Sequence, residues 1–227
     1  MSINLAENLA RIQKDIQHLS PYPEKVKVIA VTKQFPLSVI QHAVSLGIKD
    51  IGESRIQEAL EKFDQDSLPG VTRHFIGSIQ FNKVQKLVDN FHWLHSLDTF
   101  KVARKLYEKE STLNICLQVN TSGEKTKHGL RPNDVQEFVH LLQKETPTLR
   151  IWGLMTIGPL THDENKIRGA FRCLREIGES LRAFETETFS FQEYSMGMTG
   201  DYKIALQEGA TMLRIGEGIF GPRSEAL

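Results

Sequence analysis

The sequence lacks most of the features that announce a function at once. It has only two cysteines, Cys116 and Cys173. They form no Cys-x-x-Cys pair, which excludes a zinc knuckle and a thioredoxin-like motif. Both read as buried small hydrophobes of a reducing compartment. There is no excess charge of either sign: 28 Lys and Arg face 28 Asp and Glu. That argues against a broad surface for nucleic acid or acidic membrane. No apolar run approaches the ~18 residues of a membrane span, and the N-terminus lacks the basic and apolar regions of a signal peptide. A cytoplasmic location is expected. His-Glu-x-x-His, His-x-His, Gly-x-Ser-x-Gly and a P-loop lysine are all missing, so no metal site is expected. The histidines form no cluster by spacing. His74 lies in one strand pattern, His92 and His95 flank Trp93 in the next, and His128 lies in a polar loop. All read as structural or surface residues.

What remains is ordinary in composition and regular in pattern. The 227 residues are 40% hydrophobic and 25% charged, typical of a globular chain long enough to bury a full core. Leu5, Leu9, Ile12, Ile16 and Leu19 lie on one helical face, and Ser20-Pro21-Tyr22-Pro23 ends that helix. The β-branched run Val26–Thr32 reads as a strand. A helical segment follows from Pro36 to Gly47. The alternation then repeats. Strands are expected near Lys49–Gly52, Arg73–Gly77, Phe91–His95, Asn114–Val119, Arg150–Met155, Thr188–Tyr194 and Thr211–Ile215. Helices are expected near Arg55–Phe63, Asn82–Asp89, Thr99–Glu110, Asn133–Glu145, Glu164–Phe184 and Asp201–Glu208. Alternating strands and helices make parallel βαβ units. Eight of them predict an α/β fold: a single (β/α)8 TIM-type barrel over residues 1–227, with an extra N-terminal helix and no second domain. Twelve residues follow Ile215, too few for a full eighth covering helix. The helix over 5–19 is expected to fill that gap.

A parallel barrel places its active groups at the C-terminal strand ends. Lys33 follows the first strand, either as a solvated surface lysine or as an amine for a Schiff base. An unperturbed lysine, with a pKa of about 10.4, is almost wholly protonated at neutral pH; burial or nearby positive charge frees more of the amine. Gly216-Glu217-Gly218-Ile219-Phe220-Gly221 matches Gly-x-Gly-x-x-Gly, but too little chain follows for a dinucleotide fold. These glycines make either a phosphate cup or a tight turn. Thr199-Gly200-Asp201 reads as a helix N-cap, a second anion site at the neighbouring strand end. Arg214 shares a strand face with Gly216. It is either a lumenal guanidinium in need of a buried partner or a salt-bridged structural arginine. Lys125, Lys127 and His128 lie in the longest polar loop and read as solvated. On these residues alone, a barrel enzyme acting on a phosphorylated metabolite stays open.

Six blocks, in order over essentially the whole chain, carry a resemblance. They are Ala30-Val31-Thr32-Lys33, Gly52-Glu53-Ser54-Arg55-Ile56-Gln57-Glu58, His74-Phe75-Ile76-Gly77-Ser78-Ile79-Gln80-Phe81-Asn82-Lys83, Gly153-Leu154-Met155, Ser195-Met196-Gly197-Met198-Thr199-Gly200-Asp201 and Arg214-Ile215-Gly216-Glu217-Gly218-Ile219-Phe220-Gly221. The sequence resembles the pyridoxal phosphate homeostasis protein family (YggS/PROSC), whose fold is similar to the barrel domain of alanine racemase. The resemblance implies pyridoxal 5′-phosphate (PLP) held as a Schiff base on Lys33, with Arg214 at the pyridine nitrogen. It implies a phosphate cup of Thr199, Gly200, Gly216 and Glu217, with Ser195 as a further member. It also implies a role in vitamin B6 balance, PLP-dependent apoenzymes as acceptors, a monomer, and no established turnover. The family pattern reads Asn where this chain has Ser54, and Ser where it has Thr199. Ser54 is therefore expected near the cofactor without the amide that both donates and accepts. An arginine at the pyridine nitrogen disfavours the protonated ring that amino-acid chemistry uses as an electron sink, which favours a carrier. A PLP-dependent racemase, which would need a second base from a further domain, is the alternative.

Overall fold

The computed structural model describes residues 4–124 and 126–222. Eight strands, in chain order, close into one parallel barrel. They are β1 (Lys27–Val31), β2 (Asp50–Glu53), β3 (Thr72–Phe75), β4 (Trp93–Leu97), β5 (Asn114–Gln118), β6 (Arg150–Met155), β7 (Phe189–Ser195) and β8 (Met212–Ile215). Each expected strand is present within a few residues of its expected bounds. Closure comes from β1, which pairs with β2 on one side and with β8 on the other, Ile29 opposite Arg214.

The helices between strands are α2 (Leu37–Ser45), α3 (Ile56–Gln65), α4 (Val84–Asn90), α5 (Phe100–Glu108), α6 (Val135–Glu145), α7 (Glu164–Leu181) and α8 (Tyr202–Gln207). Each buries one apolar face against the sheet. In α7 that face is Ile167, Ala170, Phe171, Leu174 and Leu181, and the Asp163 carboxylate caps its start by accepting from the Asn165 and Lys166 amides. After β8, among the described residues, only the single turn α9 (Glu217–Phe220) follows. Helix α1 (Leu5–Leu19) takes the missing place in the outer ring and packs against α8 and α9. Asp15 accepts from the Tyr202 hydroxyl at 2.5 Å and pairs with Lys203 at 3.1 Å, tying α1 to α8.

The core has two parts. The larger lies between barrel and helices. A separate cluster of Ile29, Trp93, Cys116, Met155 and Met212, from five strands, plugs the inside of the barrel. Cys116 is wholly buried there, and burial pushes its thiol pKa up. Cys173, on α7, is only half-buried, which corrects the expectation of two buried cysteines. Its helix face is amphipathic, and position 173 falls at the border of the apolar stripe.

Candidate site at the C-terminal end of the barrel

Lys33 sits in the turn after β1 and is half-buried. The residues on either side of it are tied down from β2 and α3. The Thr32 hydroxyl donates to Glu53 Oε1 at 2.7 Å, and the Thr32 carbonyl accepts from Lys62 Nζ at 2.8 Å. The Gln34 amide donates to Glu58, and Gln34 itself holds a φ of +65°, a conformation that costs a non-glycine residue energy. Lys62 joins the two carboxylates, at 2.8 Å to Glu53 and 2.9 Å to Glu58. Glu53 is almost fully buried, with Oε2 lacking a hydrogen-bond partner, and burial raises its carboxyl pKa despite Lys62. Sequence reasoning missed Lys62, because a lysine on an amphipathic helix reads as solvated. Ser54, half-buried after β2, is fixed through its backbone: a Cβ on Gly77 would lie 2.1 Å from the Ser54 carbonyl oxygen. Only glycine permits that approach of the loops after β2 and β3.

Across the β1–β8 seam lie the other expected residues. Thr199 and Gly200 occupy the exposed turn after β7. Gly216 is buried ahead of α9, and Glu217, the first residue of that turn, is exposed. The two loops are joined by a bond that spacing did not foretell: the Gly218 amide donates to Thr199 Oγ1 at 3.0 Å. A Cβ at Gly218 would stand 2.8 Å from Ile215 Cγ2, so the backbone runs close against the strand end. Helix α1 braces this turn from outside, Asn8 donating to the Ile219 carbonyl at 2.9 Å and Arg11 to that of Gly218 at 3.2 Å. The Phe35 and Phe220 rings, 4.7 Å apart, seat the Lys33 loop against α9. Asp201 stands at the N-cap position of α8, yet its carboxylate makes no cap. It accepts from the Met198 amide at 2.6 Å and stiffens the turn instead.

Arg214 points into the barrel and is 4% exposed. It donates to Ser195 Oγ at 2.7 Å and to the Thr156 carbonyl at 2.7 Å. Both hydrogen-bond partners are neutral, and among the described residues no carboxylate forms an ion pair with it, although the Asp201 carboxylate acts on it through space. The lumenal reading therefore holds, and the salt-bridged one does not. Burial pushes the guanidinium pKa down to about 10, which still leaves it charged at neutral pH. A buried cation with only neutral hydrogen-bond partners favours a further acceptor. Ser195 is wholly buried and its hydroxyl is engaged inside the barrel, by Arg214 and by His95 Nδ1 at 2.7 Å. The structure thus gives it a lumenal role distinct from the Thr199–Gly218 turn.

The histidines require a correction. His74 and His95 do come together, His74 Nδ1 lying 2.9 Å from His95 Nε2, because β3 and β4 are neighbours in the sheet. Helical or strand spacing within one element carries no sign of this. His92 and His128 are exposed, as expected. Lys127 is not a solvated loop cation: it donates to the Gly158 carbonyl at 2.8 Å and pairs with Glu124 at 2.7 Å. Lys125 lies outside the described residues. Among those residues no group of His, Cys, Asp and Glu is placed to hold a metal ion, and no helix is long and apolar enough to cross a membrane.

Residues 3–224 match the family described as alanine racemase, N-terminal domain. The pyridoxal phosphate homeostasis protein of Pseudomonas aeruginosa is 38% identical over 224 residues, 97% of this chain and 94% of that protein. The protein of the same name from Aquifex aeolicus is 34% identical, covering 96% of each. Among solved structures, PipY of Synechococcus elongatus with PLP bound superposes with a TM-score of 0.83 at 32% identity, over 96% of this chain and 100% of that one. Alanine racemase from Oenococcus oeni shares the fold, with a TM-score of 0.72 at 17% identity, over 95% of this chain and 62% of the racemase.

Proposed function

The chain belongs to the pyridoxal phosphate homeostasis protein family, and from that premise we propose that it binds PLP at the C-terminal mouth of the barrel, linked covalently through Lys33, and serves vitamin B6 homeostasis without robust turnover. The observation that carries this reading is Arg214. It is a buried guanidinium at the mouth of the lumen whose hydrogen-bond partners are neutral, beside a strand end that presents an amine, Lys33. The residues fit the group. Lys33 supplies the amine. Arg214 supplies a fixed donor to the ring nitrogen. Thr199, Gly200, Gly216 and Glu217 supply backbone donors and one hydroxyl to the phosphate, with Gly218 holding the Thr199 oxygen in place. Ser54 completes the rim in place of the family's asparagine.

PLP supplies an aldehyde that condenses with amines and an aromatic ring that draws electrons from them. The residues of this chain blunt the second property. With a pKa of about 10, Arg214 keeps its proton at neutral pH and leaves the ring nitrogen without one. That favours a carrier, handing PLP to acceptor apoenzymes, over the racemase reading.

The test is PLP titration followed by equilibrium dialysis and absorbance, with L- and D-alanine interconversion measured on the loaded protein. Stoichiometric binding with a visible band and no racemisation is expected. Failure to bind PLP overturns the reading, and sustained racemisation replaces it with the enzymatic one.

A further inference from the structure

A continuous line of hydrogen bonds, buried except at its Asp50 end, crosses the barrel from its N-terminal end to Arg214. Asp50, the first residue of β2, accepts from His74 Nε2 at 2.9 Å. His74 Nδ1 meets His95 Nε2 at 2.9 Å, His95 Nδ1 meets Ser195 Oγ at 2.7 Å, and Arg214 reaches the same oxygen at 2.7 Å. His74, His95 and Ser195 are all 0% exposed. The histidine rings are held by Trp93, stacked on His74 with centroids 5.7 Å apart and an interplanar angle of 15°.

Proton counting gives this line a direction. A guanidinium only donates and a carboxylate only accepts. At one end, Asp50 requires a proton on His74 Nε2. A neutral His74 then offers Nδ1 as acceptor, so His95 must carry its proton on Nε2 and accept at Nδ1. The Ser195 hydroxyl therefore donates to His95, and its lone pairs are left to face Arg214. Arg214, which has no lone pair to offer, is compatible with this order, since the Ser195 oxygen accepts from it while its hydroxyl donates to His95. Each hydroxyl or ring that donates downward becomes a better acceptor above, because hydrogen bonds in series polarise one another.

We propose that Asp50, His74 and His95 are positioning residues: a one-way relay, with both histidines neutral and protonated on Nε2, that makes Ser195 a fixed acceptor for Arg214 and so sets the guanidinium that meets the ligand ring. The relay itself is a property of the empty protein. Its effect on the ligand rests on the PLP reading above. Burial also favours the neutral form of both rings, most strongly for His95.

The test starts with the unaltered protein, labelled with 15N-histidine and free of PLP. Long-range 1H–15N spectra at neutral pH should show the proton of both buried histidines on Nε2. A proton on His95 Nδ1, or a doubly protonated ring, overturns the relay whatever PLP does. In the His74→Phe variant His95 loses its fixed acceptor. Its signal should become a tautomer mixture or move to Nδ1, the visible band of bound PLP should shift, and the PLP affinity should fall roughly two- to tenfold, the worth of one ordinary hydrogen bond. The exposed-site control His92→Gln should leave all three unchanged. An unchanged His95 signal and PLP spectrum in folded His74→Phe would overturn the proposal. If the unaltered protein bound no PLP while both rings carried Nε2 protons, the relay would stand and the PLP reading would fall.

Discussion

The cup and the histidines each make a distinct demand at the level of single residues. If the phosphate is held by backbone amides, the side chain of the exposed Glu217 has no part in it. Glu217→Ala should then change the PLP dissociation constant little. Gly216→Val, which adds branched bulk at a buried position beside the cup, should weaken binding severely. Thr199→Val loses one hydrogen bond to a charged group, about 1.5–3 kcal/mol, or roughly ten- to a hundredfold in affinity. Equilibrium dialysis of the three variants decides it, and a Glu217→Ala protein worse than Gly216→Val would require a side-chain role for Glu217. The histidines set a pH dependence of stability. Burial lowers the pKa of both His74 and His95 from about 6.5, with Asp50 only partly offsetting this for His74. Below about pH 6.5 the unfolded chain therefore binds protons that the native state refuses. Stability is fully present above that value and is lost as pH falls toward the native pKa values, by up to about 1.4 kcal/mol per pH unit for each ring. Urea midpoints from pH 7.5 to 5 should show this slope, and it should shrink in His74→Phe. None of this was legible in spacing, since two residues 21 apart meet only once the strand order is known. By contrast, a lumenal place for Arg214 was among the readings that the strand pattern offered, because strand alternation is local.

At the level of elements, α3 acts on the loop that follows β1. Lys62 is 8% exposed and joins two carboxylates with the Thr32 carbonyl. Its removal leaves the carboxylate of Glu53 buried without a counter-charge, a change that typically costs about 3–5 kcal/mol. Lys62→Met should therefore destabilise the fold by about 3 kcal/mol at pH 7.5 in urea denaturation. Glu53 already has a raised pKa in the folded state, from burial, and losing Lys62 raises it further. The penalty is present above that pKa and is relieved as the carboxyl protonates below it, so the cost should shrink toward pH 5. A loss that stayed the same at both pH values would assign Lys62 a packing role alone. The helix itself was plain from its apolar face of Ile56, Ala59 and Phe63. What Lys62 does was not, because a buried lysine and a solvated one look alike until the loop above them is placed.

For the whole molecule, the regular alternation of strand and helix patterns carried the architecture, and the shortfall after β8 pointed to the role of α1. That helix now closes the ring and braces the turn that carries Gly216, Glu217 and Gly218, through Asn8 and Arg11. Barrel closure brings β1 beside β8, which sets the loop of Lys33 against the turn of Gly216 to Phe220. The central claim is that this seam holds PLP through Lys33, and one measurement meets it directly. The protein is incubated with PLP, reduced with borohydride, and analysed by intact mass and peptide mapping, alongside Lys33→Ala. The account predicts one reduced PLP adduct per chain, located on Lys33 and absent from the folded Lys33→Ala protein. An adduct on another lysine, or one that persists in Lys33→Ala, would contradict it.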